Sequence, residues 1–288
     1  GLMVTLIDTL NVIFIEYHIA RKILHDKGKL LDEENLPFYA HVLFSKINKL
    51  FATYGRIIWC WEGKNSLGWR RNIFPDYKMN RKGQKNEEEY KTLKSFFPKI
   101  QEVLKYYPCK QIESENAEAD DIIYILAKKY QNDGVTIIST DGDLTQIRNF
   151  FGKNIEIYNP VRKTYAKEKP YIIEEKAICG DPSDNIPGLY RVGPKTFEKM
   201  LIDPAQHKKI MANENNKQIY ENFKKIVDLR EFPKEYHFDI LKKEEEVEYN
   251  IFQPENIEMF FWDNALKQQL DRWSDSKEDI NIALRSVV

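Results

Sequence analysis

The sequence predicts an α/β protein with a mostly parallel central sheet flanked by helices, followed by a mainly helical C-terminal region. Three observations predict it. Short, very apolar runs at Val4–Asp8, Arg56–Trp61 and Val135–Thr140 alternate with helical stretches up to about residue 180, the pattern of parallel strands joined by crossover helices. Several of these runs end on a carboxylate or lead straight into one. After Gly180 the pattern is helical without strand alternation, so a soft boundary divides an α/β domain, 1–180, from a helical domain, 181–288.

In order, Val4–Asp8 reads as a buried strand, followed by a helix through about Lys22 and another from about Pro37 to Tyr54. Arg56–Trp61 is the next strand. The polar, basic segment Glu62–Asn86 carries Gly63, Gly68, Pro75 and Gly83 as breakers. It is longer than an ordinary connection, and long loops in compact domains are usually functional or disordered. Glu87–Tyr107 is expected to be helical and broken or kinked at Pro98, and Lys110–Ile112 to be a short strand. Glu118–Tyr130 places Ile122, Ile123, Leu126 and Ala127 on one helical face. A hairpin is expected around Asn159-Pro160, with arms at 154–158 and 163–166.

Composition narrows the class. Hydrophobic residues make up 42% of 288, enough for a real core, and the net charge of −1 hides a segregated distribution. Lys64, Arg70, Arg71, Lys78, Arg81, Lys82 and Lys85 crowd one segment that holds Asp76 alone as counter-charge. Acid in one place and base in another suggest a metal site beside a polyanion-binding surface. Cys60, Cys109 and Cys179 have no metal-ligand spacing and read as reduced thiols. No stretch is long and apolar enough for a transmembrane helix, and the first residues do not form a signal peptide. Gly1-Leu2 before Met3 reads as foreign to the natural chain. A monomer in the cytoplasm, without membrane attachment, is expected.

The carboxylates carry the chemistry. Asp8 closes the first strand and Glu62 follows the second; Glu118, Asp120 and Asp121 open a helix; Asp141 and Asp143 follow the strand at 135–140; Asp181 and Asp184 lie in GDPSDN. In an open parallel sheet the strand C-termini converge on one crevice, where ligands bind. So many carboxylates cannot remain ionised together without cations. Hard oxygen donors in this number call for Mg²⁺ or Mn²⁺, and the set suggests a two-metal acidic site. Each cluster also has a plainer reading. Asp143 caps the next helix, the acids of 118–121 compensate a helix dipole, Asp181 and Asp184 make a cap and a turn with Pro182 at the first helical position, and Asp8 and Glu62 are simply solvated. All of them together, in one chain, favour the metal site.

Two further segments point to nucleic acid. WRRNIFPDYKMNRK interleaves Arg70, Arg71, Lys78, Arg81 and Lys82 with Trp69, Phe74 and Tyr77. The cations would neutralise phosphates and the rings would stack on bases. In Ile186–Leu201, Gly188, Arg191 and Gly193 form a turn and Lys195-Thr196 open an apolar helix. Such a helix–turn–helix offers backbone N–H groups to phosphate and reads no base sequence.

With these motifs assembled, the chain resembles the flap endonuclease/5′-3′ exonuclease family, in particular the phage 5′ nucleases of the T-even ribonuclease H type. The resemblance covers roughly the first 200 residues and implies a PIN-like nuclease core. It also implies that the nine carboxylates named above form the family's metal site. By the same resemblance Tyr77, Lys78 and Arg81 (YKMNR) match the YKxNR segment at the base of a helical arch or clamp over about 62–90, where the Lys and Arg contact the scissile phosphate. Ile186–Leu201 matches a helix–three-turn–helix that grips duplex DNA and often holds K⁺. Glu62 stands where the family generally has Asp, Arg191 where Gly is common, and Phe197 where Ala is usual.

The implied activity is phosphodiester hydrolysis at 5′ ends, flaps or RNA primers on duplex DNA, a step of Okazaki fragment processing. Two Mg²⁺ ions, replaceable by Mn²⁺, would serve it: Asp8, Glu118, Asp120 and Asp141 around one, Asp143, Asp181 and Asp184 around the other. Expected partners are nicked or branched DNA, RNA–DNA duplex ends, a single-strand-binding protein and a sliding clamp. Three rival readings remain open at this point. Asp141-Gly-Asp143-Leu-Thr145 spells the nucleophile motif of haloacid-dehalogenase-type phosphatases. A junction-binding accessory with vestigial acids would bind flaps without cutting. A PIN-type ribonuclease would share the acidic crevice.

Overall fold

The computed structural model describes residues 3–81 and 87–287. Its centre is a six-stranded sheet in the order β3-β2-β1-β4-β5-β6. The strands are β1 (Val4–Asp8), β2 (Ile57–Cys60), β3 (Cys109–Ile112), β4 (Val135–Ile138), β5 (Ile155–Asn159) and β6 (Thr164–Tyr165). Strands β1 to β5 pair in parallel, while β6 joins β5 as an antiparallel edge, the expected hairpin. Strands β1, β2 and β4 are buried along their whole length, which is why each reads as an unbroken apolar run rather than an alternating one.

Helices α1 (Thr9–Asp26), α2 (Leu36–Thr53) and α4 (Glu87–Leu104) cover one face, and α5 (Ala119–Tyr130) covers the other. α1 runs four residues beyond its expected end at Lys22. α4 continues through Pro98. A short helix, α3 (Gly68–Ile73), lies inside the long basic segment that follows β2. Helix α6 (Thr145–Phe151) connects β4 to β5; α7 (Ile172–Cys179) and α8 (Pro194–Ile202) follow the last strand, and α9 (Pro204–Met211) and α10 (Glu214–Val227) follow them. The chain ends with α11 (His237–Glu246), α12 (Pro254–Asp263) and α13 (Lys267–Val287).

Packing crosses the boundary expected at Gly180. Phe232 and Ile240 join the core beneath α5. Ile257, Phe261, Trp273 and Ile280, from α12 and α13, join Phe44, Phe51 and Trp59 in the core on the opposite face. Glu244 of α11 is fully buried and receives the ammonium groups of Lys110 and Lys129 and the Tyr130 hydroxyl. The late helices therefore clamp both faces of the sheet. Cys60, Cys109 and Cys179 are free thiols. No described helix is long and apolar enough to cross a membrane.

Two close backbone approaches fix loops around the site, one just past β2 and one at the end of α7. At Gly63, just past β2, a Cβ would lie 1.9 Å from the Ser114 carbonyl oxygen, and the Gly63 N–H donates to the Ala117 carbonyl at 2.9 Å. Gly188 has φ +73°, and a Cβ there would meet the Gly180 nitrogen at 2.5 Å. Gly63→Ala is expected to lower stability by about 1–3 kcal/mol, the usual cost of forcing extra atoms into a packed site. Chemical denaturation of wild type and variant measures it; Gly193→Ala, where a Cβ meets nothing within 4 Å, is the control expected to change little.

Candidate active site

The strand order reverses between β1 and β4, and at the carboxyl ends of these strands opens a cleft of about 1120 Å³. Such a reversal leaves the two crossover connections on opposite faces and a crevice between them. Asp8 enters from the end of β1, and Ser139 Oγ donates to its Oδ2 at 2.8 Å. Asn11 and Thr140 tie the neighbouring loops: Asn11 Nδ2 donates to Thr140 Oγ1 and the Thr140 N–H donates to Asn11 Oδ1. Asp141 follows β4, and Glu62 lies two residues past β2. Glu118 and Asp120 come from the N-terminus of α5, and Asp184 from beyond α7; all of these side chains line the cleft. Asp143, Asp181 and Asp184 have carboxylate oxygens within 4.8 Å of one another.

The plain capping roles exist alongside this convergence. Asp141 accepts the Asp143 N–H at 2.9 Å and caps the turn at Gly142–Leu144, so the capping expected of Asp143 belongs to Asp141. Asp181 accepts from the backbone N–H and hydroxyl of Ser183. Asp141 is thus both a cap and a cleft carboxylate, while Asp181 caps its turn behind the cleft lining, beside Asp143 and Asp184.

Asp121 departs from expectation. It is wholly buried and faces away from the cleft; its carboxylate takes Arg70 Nη1 and Nη2 at 2.9 and 2.7 Å and the Glu118 N–H at 3.0 Å. Successive helical residues point about 100° apart, so Asp120 reaches the cleft and Asp121 the core. Arg70, expected at a DNA backbone, is likewise internal at 2% exposure. It bonds Glu118 Oε2 at 2.6 Å, and its Nε donates to the Ile226 carbonyl at 2.9 Å. Trp69, Phe74 and Tyr77, expected to stack on bases, pack inward. Trp69 lies against Phe232, Phe74 against Phe223, and the buried Tyr77 donates its hydroxyl to Glu118.

Arg71, Lys78 and Arg81 remain at the cleft. Lys78 takes φ +58° and its ammonium contacts Glu118. Arg81 Nη2 reaches Asp184 Oδ1 at 3.0 Å. The Lys78 N–H donates to the Asp184 carbonyl, Asn80 Nδ2 to the Pro182 carbonyl and Asn185 Nδ2 to the Asp76 carbonyl. The segments YKMNR and GDPSDN are thus stitched together. Lys82, and the part of the expected arch at 82–86, lie outside the described residues. The helix–turn–helix expected within Ile186–Leu201 begins earlier than expected: its first helix is α7, ending at Cys179, and only α8 falls inside those bounds. Arg191 and Lys195 are exposed, Gly193 caps α8 and Phe197 is buried between the two helices.

Sequence reasoning missed Lys176, whose ammonium lies 2.9 Å from Asp143 Oδ1 and 3.0 Å from Asp181 Oδ2. Its place in IIEEKAIC carries no signal. It also missed Ser139, for which a hydroxyl at the end of a buried strand directly before an acid cluster was the available clue.

Charge crowding shifts the titrations. Burial, then the neighbouring Asp141 charge, pushes Asp8 up to about 6. Burial and Glu118 push Glu62 up to about 8, against the pull of Lys78. Burial and Asp141 raise Asp143 to about 7, and burial with Asp141 and Asp8 raises Asp120 well above the carboxylate range. Glu118 goes the other way: burial opposes its charge, but Lys78 and Arg70 hold it down at about 2.

Two predictions follow from this electrostatics. A carboxyl whose folded pKa exceeds its unfolded one binds more protons folded, so its contribution to stability falls as pH rises from the unfolded value to the folded one. For Asp8, Asp143 and Glu62 that window runs from about 4 to about 6, 7 and 8. Glu118 has the opposite sign, but its window lies below about pH 4.5. The melting temperature in EDTA should therefore fall between pH 5 and 8, and millimolar Mg²⁺ at pH 8 should restore it; calorimetry tests both. Arg70→Met strands Glu118 and Asp121 as buried, uncompensated charges and should cost about 3–5 kcal/mol. A surface phosphate contact would leave denaturation unchanged.

A protein-family model described as 5′-3′ exonuclease, N-terminal resolvase-like domain, matches residues 3–178. The 5′-3′ exonuclease of Aquifex aeolicus is 32% identical over 208 residues, 68% of this chain and 64% of that one. Ribonuclease H of Enterobacteria phage T4 is 32% identical over 56% of this chain and 55% of its own length. DNA polymerase I of Bacillus subtilis is 32% identical over 74% of this chain but only 27% of its own length. The chain thus spans less than two thirds of these relatives. Among solved structures, the phage T5 D15 protein co-crystallised with metal ions superposes with a TM-score of 0.58 at 18% identity, covering 98% of this chain and 99% of that one. The catalytic core of Rad2 in complex with DNA substrate gives 0.57 at 16% identity, covering 99% and 93%. These two likenesses concern the fold, whereas the family model covers well over half of the sequence, and the chain belongs to the 5′-3′ exonuclease family.

Proposed function

We propose that this protein is a structure-specific 5′ nuclease that hydrolyses phosphodiester bonds at 5′ ends or flaps on duplex DNA, or at RNA primers, during replication. One observation carries the reading. Asp8, Glu62, Glu118, Asp120, Asp141 and Asp184 line a single cleft that Arg71, Lys78 and Arg81 also line. The T5 D15 crystals hold metal ions and the Rad2 crystals hold DNA.

The donor set fits hard divalent cations. All the donors are oxygens, the preference of Mg²⁺ and Mn²⁺. Asp8, Glu62 and Asp143 are raised into or near the neutral range by burial and mutual repulsion, a cost that a bound cation removes. Asp8, Glu118, Asp120 and Asp141 would hold one ion, with Glu62 beside Glu118. Asp143, Asp181 and Asp184 would hold a second. When bound, such ions lower the pKa of water and offset charge on a phosphate. K⁺ in the 188–193 turn belongs to the proposal as a family trait only.

The chain's own cations have distinct tasks. Lys78 and Arg81 stand where they can bind the phosphate at the acidic floor and stabilise charge that develops on it. Tyr77 fixes Lys78 indirectly, through the Glu118 carboxylate that both contact. Arg191, Lys195 and Thr196 would follow the duplex backbone, with α8 presenting its N-terminus to a phosphate. The phosphatase reading weakens, because the Asp141 motif follows the fourth strand and shares its cleft with carboxylates that a phosphoenzyme does not require. The full acid set argues against a purely binding role, and the helix–turn–helix against a short PIN-type ribonuclease.

A 5′-labelled flap duplex incubated with Mg²⁺ tests the proposal. Wild type should cut near the junction, EDTA should abolish cutting, and Asp141→Asn should cut at least about 100-fold more slowly. Flap binding without cleavage in Mg²⁺ and in Mn²⁺ would remove the nuclease reading. Lys78→Ala should lower kcat by about 100-fold or more. Lys195→Ala should instead weaken binding and flatten its salt dependence by about one phosphate contact, as equilibrium titrations at several salt concentrations would show.

A further inference from the structure

Lys176 projects from α7 with its side chain 26% exposed and forms part of the cleft lining. Its ammonium sits between two of the three clustered carboxylates, 2.9 Å from Asp143 Oδ1 and 3.0 Å from Asp181 Oδ2. The Asp181 contact is a hydrogen bond. The Asp143 contact is a close ion pair at 2.9 Å with poor hydrogen-bond alignment, and that oxygen is out of water with no other donor among the described residues. Asp143 Oδ1 is therefore a buried anionic oxygen whose one close cationic partner is the Lys176 ammonium. Buried carboxylate oxygens rarely lack a directed donor, and each such exception calls for an explanation.

An ammonium group and a divalent ion solve the same problem in different ways. Both neutralise crowded carboxylates. The ammonium brings one charge at hydrogen-bond distance, whereas a hard divalent ion brings two at about 2.1 Å from each oxygen. Both cannot occupy the space between Asp143 and Asp181. Lysine also has a long flexible stem that lets its head leave for solvent at little steric cost.

We propose that Lys176 is a tethered resident cation that plugs the Asp143/Asp181/Asp184 site, competes with a divalent ion for it, and swings into the cleft when that ion binds. This rests on the reading of the acidic cleft as a divalent-metal site. Ion loading and the arrival of a further positive charge in the cleft are then one event. The first ion site, around Asp8, Asp120 and Asp141, has Lys78 at its Glu118 edge rather than a cation bridging two of its carboxylates, and fills first. Lys78 is a different case, because its stem is buried beside Tyr77 and its ammonium is held by Glu118.

The test is Mn²⁺ binding to the full chain without DNA, read from the electron paramagnetic resonance signal of free Mn²⁺. Wild type, Lys176→Met and Lys176→Arg are titrated, with circular dichroism confirming that each is folded. Wild type should bind one ion tightly and a second weakly. Lys176→Met should tighten the weaker dissociation constant by about tenfold, the size expected on removing one competing charge in a partly solvated site. Lys176→Arg should leave it as weak as in wild type. An unchanged or weaker second site in Lys176→Met would overturn the plug while leaving the metal reading intact. No Mn²⁺ bound to wild type or to Lys176→Met would overturn both. Crystals soaked in Mn²⁺ give a second reading. An anomalous peak between Asp143 and Asp181 with the lysine head displaced supports the plug, and a peak there with the head still bridging both carboxylates overturns it.

Discussion

Repulsion among carboxylates is the constraint on which the rest of the architecture depends. A parallel sheet that changes direction between β1 and β4, together with the turn beyond α7, brings acids from five separate segments to one crevice. Left alone they would protonate or push the loops apart, since like charges at short range in a partly dry site interact strongly. The fold answers with its own cations at graded depth. Arg70 is sealed beneath Glu118 and Asp121. Lys78 is half-buried against Glu118. Lys176 stands nearer the cleft between Asp143 and Asp181. The innermost pair is permanent structure, and the outer ones border the space where substrate and ions would sit.

That gradient explains which parts of the site were legible in the sequence. Asp8, Asp141 and the loop beyond Glu62 were readable because buried parallel strands write continuous apolar runs, and their ends mark where side chains enter the crevice. Arg70 and Arg71 look equivalent as letters in a basic run. On α3 they diverge by about 100°, so one is swallowed by the core and the other lines the cleft. Asp120 and Asp121 divide in the same way on α5. Lys176 was invisible because its role depends on a loop that turns back after Gly180 and carries Asp181 under it, a tertiary fact with no local pattern.

The helical tail shows a second limit. Amphipathic patterns after Gly180 foretold helices but not their destinations. α11 returns to the α5 face through Glu244, while α12 and α13 travel to the opposite face and complete an aromatic core with Phe44 and Trp59. Nothing in a helix's own periodicity says which surface it will cover. The central sheet is consequently clasped from both sides by segments far downstream, which makes the strand ends, and the carboxylates on them, hard to displace.

The hydrogen bond from Arg70 Nε to the Ile226 carbonyl has a mechanical consequence. Ile226 lies near the end of α10, which packs against α7, the first helix of the helix–turn–helix. The same guanidinium grips Glu118 and Asp121 through its other nitrogens. One rigid planar group therefore joins α10, and through it α7, to the floor of the crevice. Moving α10 away from the crevice would break this hydrogen bond as well as the packing around it. For the 5′ nuclease proposed above, a duplex seated on α7 and α8 would be held at a set height above the acids, with Arg70 as one fixed mark of that ruler.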